Sequence, residues 1–340
     1  MLSKYLIAGL SFIFIYYLWP STAPYELGPM TLSNPSIGIS LTASYGVISL
    51  RHADGSFEDL GRVDGDSSYI EMIKRLSSRA AQHACPPYSS MEDMWEDTPR
   101  QAWRSLRKKI GLAPSPDVAT ISNLVKNLLS LTKSPTTPYV VISYPGIAAL
   151  YKEDINDVAE YLGLPKLTGF YNFHPSEIYA SFAGHGLGLC EHFEAKDRCQ
   201  DEGSQLPMRE TFLVEYTDQA ILLQTEYLQT ALDVDYGSTD PHSIASFELG
   251  AHSSVDKHAS RVAEFVYQFL SSWYGHVPIE VPDELLIIMT GIMDEGIEEA
   301  IRDAAGRVVP NAQMLASKTE FVAARGSAEL ARRVNLMASS

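Results

Sequence analysis

The sequence predicts an α/β protein built from two similar lobes. Apolar strand-like runs alternate with amphipathic helical stretches along residues 36–335, and the same order recurs in the second half. Hydrophobic residues make up 45% of the 340 residues and charged residues 20%, a composition ordinary for a packed globular protein. A chain of this length is sufficient for two domains.

The first half predicts a pair of strands, then helices around one further strand. Apolar residues alternate on both sides of a small-residue turn within Ile37–Leu50, which is the pattern of two short strands. Tyr139–Ser143 is a continuous apolar run, too short for a helix and rich in Val and Ile. Helices are predicted at Ser67–Leu76, Trp103–Ile110, Val118–Leu131 and Glu153–Leu162, with an acidic loop at Cys85–Thr98.

The second half repeats the alternation. A hairpin is predicted around Thr217-Asp218, because apolar runs at Thr211–Tyr216 and Ala220–Leu223 flank that turn. Leu285–Met289 predicts a buried strand. Helices are predicted at Val255–Trp273, Gly296–Ala305 and Glu320–Val334.

The net charge argues against nucleic-acid binding. Asp and Glu number 42 against 26 Lys and Arg, which leaves a formal charge of -16. Proteins that bind a phosphate backbone carry basic stripes that release counterions, so no nucleic-acid partner is expected. The G-x-S-x-G, G-x-x-x-x-G-K-[ST] and H-E-x-x-H signatures of common hydrolases and NTPases are absent from the sequence.

The first 23 residues predict export. Lys4 precedes an apolar run at residues 5–19, which as a helix is about 22 Å long, shorter than a bilayer core of roughly 30 Å. The run fits either a cleaved signal peptide or a short signal-anchor helix that is retained in the membrane. Either interpretation places the rest of the chain in the secretory pathway, lumenal or extracellular.

The cysteines support the same compartment. Cys190 and Cys199 lie nine residues apart in a polar stretch, so a small disulfide within a loop at residues 191–209 is our preferred interpretation. A zinc site formed with His185 and His192 is the alternative, although the spacing matches no standard ligand template. A second metal or acid–base cluster is conceivable at His242, His252 and His258.

Five segments, in order along the chain, resemble the actin-like ATPase (ribonuclease H-like) superfamily, most closely the nucleotide-binding domain of DnaK-type heat-shock chaperones. Ile37–Val47 (IGISLTASYGV) resembles the first phosphate loop, and Tyr139–Leu164 resembles the strand-Pro-helix segment. His174–Leu187 resembles the segment usually written E-P-T-A-A-A-L-A-Y-G-L, Leu285–Ile301 the adenosine-side segment and Glu320–Arg333 the closing helix. The resemblance implies a central cleft between lobe I at residues 36–190 and lobe II at 210–318, closed by a helix at 319–335.

The chain departs from that family where phosphate chemistry takes place. The family's first-loop Asp, which orients metal-bound water, corresponds to Ser40, and the following Gly corresponds to Thr42. The glycine-rich second loop corresponds to residues 215–220, which contain no glycine. Asp218 could reach a metal, although an Asp that begins a hairpin turn is the simpler explanation. Ser44 and Gly291 are the best remaining candidates for nucleotide contacts.

The resemblance with its departures implies a degenerate ATPase domain. We expect a non-catalytic binding or scaffold protein without a cofactor, whose partner is a protein of unknown identity. The alternative is a divergent chaperone-like ATPase that binds ATP with Mg²⁺ through Ser44 and Gly291. A third possibility is a metal hydrolase that uses His185, Cys190 and His192.

Overall fold

Two β-sheets with flanking helices form the body of the protein. The computed structural model describes residues 35–132, 139–165, 174–232, 242–253, 257–275, 280–292 and 294–339. The strands are β1 Ser36–Leu41, β2 Tyr45–Arg51, β3 Phe57–Asp64, β4 Val140–Ser143, β5 Arg209–Tyr216, β6 Ile221–Leu228, β7 His242–Ser246, β8 Leu285–Gly291 and β9 Ala312–Leu315. The helices are α1 Ser67–Leu76, α2 Met91–Lys109, α3 Pro116–Leu129, α4 Lys152–Tyr161, α5 Glu177–Gly184, α6 Lys196–Gln205, α7 His258–Gly275, α8 Glu295–Gly306 and α9 Val322–Ser339.

The two sheets share one topology. In the first sheet the strand order is β3-β2-β1-β4, with β1, β2 and β3 antiparallel and β4 parallel to β1. The second sheet has the order β7-β6-β5-β8-β9, with the same antiparallel meander, β8 parallel to β5 and one further parallel strand. This duplication confirms the two-lobed α/β fold that the sequence predicts.

Local sequence explains where the helices begin. Ser90 and Ser115 cap α2 and α3, because each hydroxyl accepts a hydrogen bond from the backbone amide three residues on, at 3.1 Å. Pro116 follows Ser115 at the first position of α3, where its missing amide costs no hydrogen bond. Asp294 caps α8 in the same way, accepting from the amide of Ile297 at 2.9 Å.

Helices α5 and α9 cross closely, and α9 packs against β1. Small residues permit the approach: a Cβ on Gly326 would lie 1.7 Å from the Ala180 carbonyl oxygen, and one on Gly184 would lie 2.0 Å from the Val322 carbonyl oxygen. A Cβ on Gly38 in β1 would likewise meet the carbonyl oxygen of Ala324 at 1.9 Å. The closing helix therefore rests directly on backbone.

Two predicted loops contain helices. The stretch Cys85–Thr98 was expected to be a loop, but α2 begins at Met91 because Ser90 caps it and Glu92 and Asp93 suit the positive end of the helix dipole. The predicted loop at 191–209 contains α6. Strands β3, β7 and β9 were not predicted, since they are partly exposed strands with weak apolar alternation.

The predicted disulfide between Cys190 and Cys199 is confirmed. The two Cα atoms lie 5.1 Å apart, and both residues are buried in the cluster beneath α5 and α9. Arg333 of α9 donates a hydrogen bond to the Cys190 carbonyl oxygen. The disulfide thus anchors α6 to the packed interior.

The apolar run at residues 5–19 lies outside the described residues, so its prediction as a hydrophobic helix stays a prediction. The helices that the structure does describe include none long and apolar enough to cross a membrane. The lobe boundaries predicted from the sequence also stay predictions.

We expect Gly38→Ala to destabilise the protein by more than about 2 kcal/mol, because the added methyl meets backbone atoms that cannot rotate away. Urea unfolding followed by circular dichroism measures the difference. Gly306→Ala is the matched control, since no atom lies within 4 Å of the added Cβ. Equal stabilities of the two variants would contradict the close packing of β1 against α9.

Candidate functional site

The candidate site is the place where the two lobes meet. The turn between β1 and β2, at residues 42–44, faces the end of β5, where the Ala43 amide donates to Glu215 Oε1 at 2.6 Å. The N-terminus of α5 brings Glu177 to the same point, and Gly291 ends β8 beside it, paired in register with Tyr216. These are the segments that the sequence resemblance assigns to phosphate and adenosine binding.

The backbone amides of the first loop, residues 42–44, form hydrogen bonds within the protein. Thr42 Oγ1 accepts from the amides of Ser44 at 3.3 Å and Tyr45 at 3.1 Å, and donates to the Tyr45 carbonyl oxygen at 2.8 Å. The Ala43 amide is occupied by Glu215. In an anion-binding loop, backbone amides of this kind would donate to a phosphate. Here they donate to acceptors of the protein itself.

The second loop is closed in a similar way. The amide of Thr217 donates to the Ala220 carbonyl oxygen at 2.9 Å, and the amide of Ala220 donates back to Thr217 Oγ1 at 3.2 Å. Residues 250–252 cover the turn from outside: the His252 amide donates to the Asp218 carbonyl oxygen at 3.0 Å. A Cβ on Gly250 would meet this turn at 2.4–2.6 Å. The hairpin predicted here is present, and its turn is packed rather than open.

The two predicted nucleotide contacts occupy different surroundings. Gly291 has a φ of +87°, and a Cβ there would lie 2.1 Å from the Tyr216 carbonyl oxygen, so glycine is needed for backbone packing. Its amide donates to the Thr319 carbonyl oxygen at 3.1 Å. Ser44 is buried, and its hydroxyl oxygen has no hydrogen-bond partner within the described part of the chain.

A pair of buried carboxyl groups lies between the lobes. Glu177 and Glu215 are each no more than 1% exposed, and their side chains interact directly. Burial raises the pKa of Glu215 well above its ordinary value, and the neighbouring Glu177 raises it further. Burial also raises the pKa of Glu177. The pair therefore retains protons that free glutamates release.

Arg62 of β3 connects lobe I to lobe II and to the segment just before α9. Its guanidinium donates to Asp218 Oδ2 of lobe II at 2.6 Å and to Glu320 Oε1, just before α9, at 3.3 Å. It also donates to Asp64 at 2.7 Å and lies over the ring of Tyr45, 3.9 Å from its centroid. Although burial opposes the charge, the hydrogen bonds that Arg62 donates to Asp218 and Asp64 raise its pKa above the ordinary value. The positive charge of Arg62 is thus surrounded by the carboxylates of Asp64, Asp218 and Glu320.

Apolar side chains fill the space beside Arg62. Tyr45 and Val47 of β2 pack against Ala324 of α9, with Ile292 and Phe321 at the edge of this cluster. The Tyr45 ring is fully buried, and burial raises the pKa of its hydroxyl. Strand β2 and helix α9 are consequently packed against each other at this point.

These residues do not fit ATP with Mg²⁺. Loop amides at Ala43, Ser44, Thr217 and Gly291 are already donated within the protein, so few remain for phosphate oxygens. Asp218, the residue that could have reached a metal, is paired with Arg62 and lies 3.4 Å from His252. We therefore derive no phosphoryl-transfer step.

The metal-site hypotheses find no support in the geometry. Cys190 is half of a disulfide, so the zinc site and metal hydrolase built on His185, Cys190 and His192 lack a thiolate. The His242 ring lies against the Trp273 ring, tilted by 31° with centroids 4.0 Å apart, whereas His258 shares a hydrogen bond of 2.8 Å with the Tyr216 hydroxyl. No group of three potential ligands that could hold a metal occurs in the ranges that the structure describes.

Sequence reasoning missed Arg62, Tyr45 and the Glu177–Glu215 pair. A signal existed for Glu215, which takes the place of the aspartate that begins the family's second phosphate loop. Arg62 lies in β3, a strand whose residues are partly exposed and lack a clear period, so nothing in the sequence pointed it at the cleft. Residues 156 positions apart meet there only because of the fold.

We expect Glu215→Gln to flatten the pH dependence of stability. In the wild type the buried pair holds protons that the unfolded chain releases above about pH 4.5, so stability falls as pH rises through the raised pKa. One such proton changes the free energy of unfolding by about 1.4 kcal/mol per pH unit. Urea unfolding at pH 5 and pH 8 measures the difference, with Glu299→Gln on the exposed face of α8 as control. An unchanged pH dependence in Glu215→Gln would contradict the assignment.

Comparisons with known proteins give structural matches only. No family model matches the chain, and no curated protein matches it. A ROK family glucokinase from Streptomyces griseus, solved with glucose and AMPPNP, is 12% identical over 88% of this chain and 99% of its own, with a TM-score of 0.43.

Two further structures match at a similar level. A protein of unknown function with an actin-like ATPase fold from Bacteroides thetaiotaomicron is 9% identical over 89% of this chain and 99% of its own, with a TM-score of 0.39. A ROK hexokinase from Thermus thermophilus is 12% identical over 87% of this chain and 97% of its own, with a TM-score of 0.35. The duplicated sheet topology, with its crossing helices α5 and α9, gives this chain the two-lobed actin-like ATPase fold.

Proposed function

We propose that the protein is a non-catalytic binding or scaffold protein that retains the actin-like fold while its own side chains fill the nucleotide cleft. The observation that carries the proposal is Arg62, whose guanidinium bridges Asp218 of lobe II and Glu320 ahead of α9. A fixed cation at the mouth satisfies acidic groups that would otherwise attract a metal.

The closed loops support the same conclusion. An ATPase of this fold needs free amides and close backbone approach at both phosphate loops. Here the first loop is bonded through Thr42 and Glu215, and the second is closed between Thr217 and Ala220. With most of these amides already bonded within the protein, the cleft serves as a fixed connection between the lobes.

The location of the protein is part of the proposal. We infer export through residues 1–23 into the secretory pathway, and the Cys190–Cys199 disulfide supports an oxidising compartment. The detailed resemblance to heat-shock chaperones is likewise an inference from sequence, and we propose a protein partner in place of a nucleotide.

A divergent ATP-binding protein is the second candidate. It is favoured by the hydroxyl oxygens of Ser40 and Ser44, which are buried and have no hydrogen-bond partner among the residues with described placement. Such groups are commonly satisfied by water or by a ligand. Nucleotide binding by some matched proteins is a property of those proteins, and a direct test decides for this one.

Thermal unfolding of the full chain with and without millimolar Mg-ATP or Mg-ADP is the test. We expect the midpoint to move by less than about 1 °C, because a ligand raises it only by binding the folded state. A rise of several degrees with either nucleotide would overturn the proposal in favour of the second candidate.

The same measurement tests the role of Arg62. Arg62→Ala should lower the free energy of unfolding by about 2 kcal/mol, because Asp218 loses a charged hydrogen-bond partner while partly buried. Arg302→Ala, which removes an exposed pair with Glu298 on α8, is the control and should change it by less than about 0.5 kcal/mol. Equal effects would show that Arg62 does not hold the cleft together.

A further inference from the structure

Helix α2 turns its charged side toward the protein. Asp97 and Arg104 are only 4% and 5% exposed, and Arg104 donates to Asp154 at 2.9 Å and to Asp157 at 2.5 Å on α4. Arg100 joins Asp97 to Glu153 in the same network. Although burial opposes it, hydrogen bonds from Arg100 and Gln101 lower the pKa of Asp97 to about 2. The charged side of α2 thus packs against α4.

The outward side of α2, continued by its C-cap residue Ile110, is mostly apolar, with the exposed charges of Glu92 near its start and Lys109 at its end. Trp95 is 66% exposed, Trp103 59% and Ile110 64%. The exposed apolar residues recur at helical spacing, and we refer to them as the α2 stripe: Met91, Trp95, Pro99, Ala102, Trp103, Leu106 and Ile110. A 19-residue helix is about 28 Å long, so the stripe is a row of apolar surface rather than an isolated side chain. Surface helices of soluble proteins ordinarily have the reverse orientation.

We propose that the α2 stripe pairs with the α2 stripe of a second copy of this chain, antiparallel and about a two-fold axis. The stripe is self-complementary when reversed about its middle: Met91 then faces Ile110 of the second copy, and Trp95 faces Leu106 of the second copy. Pro99 and Ala102 lie at the centre, where small exposed side chains let two helices approach closely. A two-fold interface requires this self-complementarity.

Charge along the edge of the stripe fits the same arrangement. Glu96 and Arg107 are eleven residues apart, close to three helical turns, so they lie on the same edge. In the register that pairs Met91 with Ile110, Glu96 of each copy lies about 3 Å along the helix axis from Arg107 of the other, within reach of the two long side chains. The Arg107 Nε donates to the Ala113 carbonyl oxygen at 2.7 Å, which holds the guanidinium at that edge. An anionic membrane surface is a poorer occupant, because Glu92 and Glu96 are exposed beside the stripe and the chain carries a net charge of -16.

This surface lies on α2 and involves neither phosphate loop, so the proposal stands independently of the cleft. Sedimentation equilibrium of the full chain in density-matched detergent measures the mass of the protein and its dimer dissociation constant. We expect a dimer, with Trp95→Glu raising the dissociation constant at least about tenfold because an exposed aromatic residue of the stripe is replaced by a charge. Met208→Glu is the control, since Met208 is 64% exposed but lies at the start of β5, and it should leave the dimer unchanged.

A charge exchange tests the antiparallel register. Glu96→Arg alone should weaken the dimer about tenfold by placing it against Arg107 of the second copy, and Arg107→Glu alone should weaken it similarly. The double variant should return the dissociation constant to within about threefold of the wild type. Circular dichroism confirms that each variant is folded. The proposal would be overturned if the wild type remained a monomer up to about 100 micromolar. It would also be overturned if Met208→Glu weakened the dimer as much as Trp95→Glu, or if the folded double variant stayed monomeric.

Discussion

The carboxyl group of Glu215 is the constraint on which the arrangement of the lobes depends. It ends a strand of lobe II, accepts the Ala43 amide of lobe I at 2.6 Å, and shares its surroundings with Glu177 at the start of α5. A buried carboxyl group is costly unless it is protonated or hydrogen-bonded. This contact satisfies that requirement only when the two sheets and α5 come together. One residue thus couples three elements that are distant in sequence.

The two loops that face each other between the lobes are held by contacts from within the chain. The loops keep the lengths and positions that the topology imposes, but Thr42 and Thr217 bond the neighbouring backbone where glycines would leave it free. Arg62 and the Tyr45 ring then supply charge and volume from within the chain. Side chains therefore join the two lobes at this point.

Much of the fold could be predicted because its elements are local. The apolar run Tyr139–Ser143 and the spaced apolar residues of Ser67–Leu76 are signals in neighbouring residues, and the structure has β4 and α1 there. The disulfide could be predicted because Cys190 and Cys199 lie nine residues apart in a polar stretch. The cleft could not, because the pairs Arg62–Asp218 and Glu177–Glu215 are created by tertiary packing and leave no period in the sequence. Helix α2 was mistaken in part for a loop since its charged side is turned inward, opposite to the usual amphipathic pattern.

The bond from the Ala43 amide to Glu215 also makes that amide a reporter of lobe separation. The amides of Ser44 and Tyr45, next along the chain, bond to Thr42 within the same loop. Hydrogen exchange at Ala43 requires the lobes to part, whereas exchange at Ser44 and Tyr45 requires only that the loop opens. Adjacent amides in one turn therefore separate a motion of the whole molecule from a local one.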